Sequence, residues 1–85
     1  MTVARLEVSF LNSYIGWDVM AYDAEGFALE TVADVAGIEW TVPEYYFAKR
    51  DAVARARELL GAAPGAELVI GLRKDGGWYP EGLKA

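Results

Sequence analysis

Hydrophobic and polar residues alternate along residues 3 to 11, with Ala4, Leu6, Val8 and Phe10 on one side and Arg5, Glu7 and Ser9 on the other. A period of two is the signature of a strand with one buried face. Asn12-Ser13-Tyr14-Ile15-Gly16 has turn formers at both ends and reads as a loop. Trp17, Val19 and Ala21 then alternate with Asp18, Met20 and Tyr22, and Asp23-Ala24-Glu25-Gly26 closes the run with a turn. Two strands joined by a short loop predict an antiparallel hairpin.

The stretch from Phe27 to Ala36 fits two periods. As a strand it places Phe27, Leu29 and Thr31 on one face; as a helix it lines up Leu29, Val32, Ala33 and Ala36, with Gly37 as a stop. A strand through about Val32 is preferred, because it would extend the hairpin into a three-stranded meander. Ile38 to Thr41 reads as extended. Thr41-Val42-Pro43-Glu44 has the form of a capping box, with proline in a first turn that needs no intrahelical N–H bond. It predicts a helix from Pro43 to Leu60 ended by Gly61, its apolar stripe formed by Tyr45, Ala52, Val53, Ala56, Leu59 and Leu60. Tyr45-Tyr46-Phe47 also favours a strand, so a start near 43 and a start near 49 both stay open. Leu68, Ile70 and Leu72 against Val69, Gly71 and Arg73 form a closing strand, and Lys74-Asp75-Gly76-Gly77 a tight turn. Trp78-Tyr79 begins a short return strand that Pro80 confines to an edge, and 80–85 is expected to fray.

Assembled, these elements predict a single α+β domain over 1–85. It is a small, mostly antiparallel sheet of three to five strands with one principal helix on one face, in the order β-β-(β)-α-β. The expected core is Leu6, Val8, Phe10, Trp17, Val19, Leu29, Ile38, Trp40, Val53, Leu60, Leu68, Ile70 and Leu72.

The chain has no cysteine and no histidine. Disulfides, thiolate metal sites, the usual general base near neutral pH and the commonest zinc ligand are therefore absent from its chemistry. Asp23-x-Glu25-Gly26 begins like a calcium loop, but Phe27, Leu29 and Thr31 follow where further ligands belong, so it reads as an acidic turn. The only serines are Ser9 and Ser13, with nothing in sequence to activate either. Gly71 to Gly77 matches no phosphate-binding pattern. These readings predict a non-enzymatic protein without cofactor or metal. No apolar run reaches the roughly 20 residues of a membrane span and the N-terminus lacks signal-peptide character, so a cytoplasmic protein with no membrane partner is expected.

Charge adds the functional expectation. The net charge is −5, and no Lys or Arg occurs between Leu6 and Ala48, a stretch that carries −8. Residues 49–85 carry +2. A lone helix covers one sheet face; the other is expected to display Asp18, Met20, Tyr22, Glu30, Val32, Glu39 and Val69, with Glu7, Glu67 and Arg73 beside them, a small apolar patch ringed by acids. Such patches mark interaction surfaces. The sequence thus predicts a protein-interaction module that docks an acidic sheet face onto a protein partner or a second copy of itself. In a sharper version it is a phage-type inhibitor whose carboxylates mimic nucleic acid against a basic nucleic-acid-binding protein. The alternative is a nucleic-acid-binding module using Lys49, Arg50, Arg55 and Arg57 of the helix with the Arg73-Lys74 turn. The anionic chain disfavours it.

Overall fold

Where alternation is longest, the strands are longest. Arg5–Asn12 forms β1 and Gly16–Tyr22 forms β2, paired antiparallel with Leu6 opposite Ala21, Val8 opposite Val19 and Phe10 opposite Trp17. The structure is a computed structural model that describes residues 2–74 and 77–81. Its remaining strands are β3 (Thr31–Ala33), β4 (Glu39–Thr41), β5 (Glu44–Tyr46), β6 (Glu67–Lys74) and β7 (Gly77–Pro80), with the helix α1 (Lys49–Gly61) between β5 and β6. Five strands form one sheet in the order β5-β2-β1-β6-β7, and β3 and β4 form a separate two-stranded sheet. Within the large sheet only β1 and β6 run parallel, as the α1 crossover between β5 and β6 allows. The expected α+β architecture, with one helix packed on a mostly antiparallel sheet, is what the chain adopts.

Helix α1 presents Ala52, Ala56 and Leu59 inward at the spacing of one helical face, and all three are buried. They meet Leu6, Val8, Val19 and Ala21 of the sheet. Each fully buried large aliphatic side chain there contributes about 1.5–3 kcal/mol. Phe10 and Trp17 meet edge-to-face at the end of this layer, ring centroids 5.2 Å apart. No helix among the described residues is long and apolar enough to cross a membrane.

Three expectations need correction. The segment after the second turn does not extend the meander. It touches β2 through one bridge, Tyr22 to Ala28, and then leaves the sheet to pair β3 with β4. The edge of β2 is taken instead by β5, which sets Tyr46 opposite Trp17 and Glu44 opposite Val19. Second, Thr41 to Glu44 does not cap the helix. Thr41 ends β4, the Val42–Pro43 peptide is cis, and α1 starts at Lys49 behind Ala48 with no side-chain cap. The strand preference of Tyr45-Tyr46 prevails, and Glu44 turns its carboxylate to Arg55, which donates from Nε at 2.8 Å and from Nη2 at 3.4 Å. Tyr45, expected in the helix stripe, lies exposed on β5. Third, Ile38 and Leu72, expected in the core, are exposed.

Expectations for the 75–76 turn tip and for 82–85 lie outside the described residues. Trp78 and Tyr79 do form a return strand, with Pro80 at its end on the sheet edge.

Candidate functional site

The seven residues expected to share one docking face fall into two groups. Asp18, Met20 and Tyr22 of β2 and Val69 of β6 do lie together on the sheet face away from α1. The register sets Met20 and Val69 on either side of Glu7, and Asp18 beside Ser9. Glu30, Val32 and Glu39 are elsewhere. Glu39 and Val32 belong to the β3–β4 sheet and Glu30 immediately precedes it, on the helix side of the molecule; Val32 is buried in the core at 4 % exposure.

The sheet face is also not the open acidic surface that the alternation predicts. Among the described residues no helix or strand covers it, yet Glu7 and Asp18 are each only 4 % exposed and Ser9 is fully buried. Long side chains from the same face lie over them. Arg73 Nη2 donates to Glu7 Oε1 at 2.6 Å and to the Tyr22 hydroxyl at 3.2 Å, and Arg5 Nη2 donates to Glu7 Oε2 at 3.0 Å. The Ser9 hydroxyl donates to Glu7 and accepts from the Trp78 indole N–H at 2.9 Å. The Arg5 guanidinium sits 5.1 Å from the Trp78 ring and 5.9 Å from the Tyr22 ring, within cation–π range of both. Gly71 makes room for this cover, because a Cβ there would run into the Trp78 ring and lie 2.6 Å from the Tyr79 carbonyl oxygen.

Both guanidiniums thus meet one carboxylate, that of Glu7, while Asp18 makes no ion pair among the described residues. Burial pushes the Asp18 carboxyl above its usual range; Arg73 opposes the shift and Glu7 adds to it. Asp18 Oδ1 and Arg5 Nε are buried without a hydrogen-bond partner among the described residues. The alternation puts Arg5 and Arg73 on this face with the acids but does not give their pairing, because Glu7 and Arg73 lie 66 positions apart.

A cluster of acids with no base among them is on the other side. Asp23, Glu25, Glu30, Asp34 and Glu39 together carry −5, the whole net charge, while the eight remaining acids and all eight bases cancel. None of the five makes an ion pair among the described residues. They occupy the 23–26 turn and the β3–β4 hairpin, a lobe that also exposes Phe27 (69 %), Val35 (76 %) and Ile38 (54 %). Asp23 and Asp34 order its turns. Asp23 accepts from the Glu25 and Phe27 backbone N–H groups, and Asp34 accepts from those of Ala36 and Ile38. The Trp40 indole N–H donates to Asp34 at 2.9 Å and holds its carboxyl below the usual range.

The lobe is fixed to the helix by Arg55. Its guanidinium stacks 4.0 Å from the Trp40 ring while its nitrogens hold Glu44 and Glu58. The same contacts leave the Arg55 side chain only 13 % exposed. Lys49 is likewise occupied, paired with Glu81 and lying over the Trp17 ring. Arg73 is bound into the sheet face. Of the expected basic surface, Arg57 and Lys74 make no ion pair among the described residues, and Arg50 only a 4.0 Å contact to Asp51.

A groove of about 570 Å³ runs along the lobe, bordered by Val3, Leu29, Glu30, Thr31, Ala33 and Glu39. No group of three or more acidic residues that could hold a metal ion occurs among the described residues. No protein-family model, curated protein or solved structure matches this chain, so its functional reading rests on the surfaces described above.

Proposed function

We propose that this protein is a non-enzymatic interaction module that docks the acidic lobe of residues 23–39 onto a basic surface of a partner protein. One observation carries the reading: the entire net charge resides in a segment with no internal ion pair, interleaved with three exposed large apolar side chains. Self-paired acids, such as Glu7, have their counter-charge within the fold; the lobe's acids make no ion pair among the described residues. Charge of one sign draws an oppositely charged partner and sets its orientation, while the apolar side chains supply buried area once it is in place. A second copy of this chain is a poor occupant, since two such lobes repel. In its sharper form the reading is of an inhibitor that covers the nucleic-acid-binding groove of a basic protein, carboxylates standing where phosphates would.

The test is paired capture from bacterial lysate with three immobilised proteins. These are the wild type, the lobe variant Glu30→Lys/Glu39→Lys, and a control of equal charge change at exposed positions outside the lobe, Asp51→Lys/Glu67→Lys. The expected result is a basic protein held by the wild type and the control, released by salt, and weakened at least about tenfold by the lobe variant. Equal retention by all three proteins would contradict the reading.

A further inference from the structure

We propose that the groove beside β3 accepts an extended, alternately basic and apolar segment of the partner as a third strand of the β3–β4 sheet. The proposal rests on the acidic-lobe reading and specifies how that lobe holds its partner.

The backbone supplies the argument. The Val42 N–H donates to the Glu30 carbonyl and the Asp34 N–H to the Ile38 carbonyl, both at 2.9 Å. In an antiparallel ladder, bonded and non-bonded pairs alternate. Pairs 30/42, 32/40 and 34/38 are then the bonded ones, and Thr31 and Ala33 direct their N–H and C=O groups away from β4. Neither residue has another hydrogen-bond partner among the described residues, and both are exposed. The row of donors and acceptors opens onto the groove. Sheet edges of this kind are templates for an added strand, which gains main-chain bonds from the edge and specificity from alternate side chains.

The two faces of the hairpin differ in chemistry, and this fixes the occupant. Val32 and Trp40 point to the core side, where Leu29 and Val3 also border the groove. Thr31, Ala33 and Glu39 point outward, and Glu39 is opposite Ala33 in the register. An added strand therefore places every second side chain over apolar surface and the intervening ones beside carboxylate. Lysine or arginine alternating with a β-branched residue satisfies both.

A capped eight-residue peptide of alternating lysine and valine serves as the probe. Its partner probe is the same peptide N-methylated at every amide, which keeps the charge and removes the strand's donors on both edges. Binding is read by calorimetry and by exchange of the Thr31 and Ala33 amides. The expected result is slower exchange at those two amides with the first peptide and at least about tenfold weaker binding of the methylated one, the equivalent of one to two hydrogen bonds. Equal binding of both peptides overturns strand addition and leaves charge-driven docking standing. Binding of neither overturns both. Slow exchange of the two amides in a dimer formed without peptide assigns the edge to a second copy and also overturns the proposal.

Discussion

Replacing Gly16 by alanine is expected to destabilise the protein by about 2–5 kcal/mol, read as a shift of the urea midpoint. Two independent effects add. Gly16 has φ +90°, a conformation that costs an L-residue about 1–2 kcal/mol. A methyl group there would also collide with the Tyr46 carbonyl oxygen and stand 2.9 Å from both Cα and O of Phe47. These obstacles are backbone, not the flexible end of a side chain, so relief requires β5 to move off β2; overpacking of this kind costs about 1–3 kcal/mol more. Total stability for a chain this size is of the same order, so the variant should populate the unfolded state measurably. A loss below about 1 kcal/mol would mean that the β2–β5 edge yields easily and that its packing is loose.

Replacing Glu7 by leucine is expected to cost about 2–3 kcal/mol, although its carboxylate lies on the sheet face away from α1. Glu7 accepts from Arg5, Ser9 and Arg73 at once. Without it, two guanidiniums face each other's charge and the buried Ser9 hydroxyl loses its acceptor. The figure lies below the 3–5 kcal/mol typical of breaking a fully buried pair, because the arginine side chains are 37–39 % exposed and regain water. A double-mutant cycle with Arg73→Met should return roughly 1–2 kcal/mol of coupling. Additive effects of the two substitutions would show that Arg73 merely lies near Glu7.

What the sequence revealed depended on the length of the pattern and the separation of the partners. Strands β1, β2 and β6 run for seven or eight residues, enough for alternation to declare their faces. The helix from Lys49 onward was legible through the four-residue spacing of Ala52 and Ala56. Between Phe27 and Phe47 the strands are three residues long, and three residues do not distinguish a period of two from one of 3.6. The capping-box pattern misled because Glu44 has a partner, Arg55, eleven positions on. For the candidate site, Asp18, Met20, Tyr22 and Val69 were placed on the correct face, but the cations that close it come from both ends of the chain. Glu30 and Glu39 were assigned to that face, whereas Glu39 lies in β4 and Glu30 just before β3. The charge asymmetry was visible, but it was drawn across residues 6–48; a window of 17 residues isolates the lobe at 23–39.

The central claim is that the lobe, not the sheet face, meets the partner. Residue-resolved hydrogen exchange, with and without the basic protein captured by the wild-type chain, tests it most directly. The account predicts slowed exchange confined to amides between Phe27 and Thr41, with β1, β2 and β6 unchanged. Slowing at Met20, Tyr22 and Val69 with the lobe unaffected would contradict it and return the docking surface to the sheet.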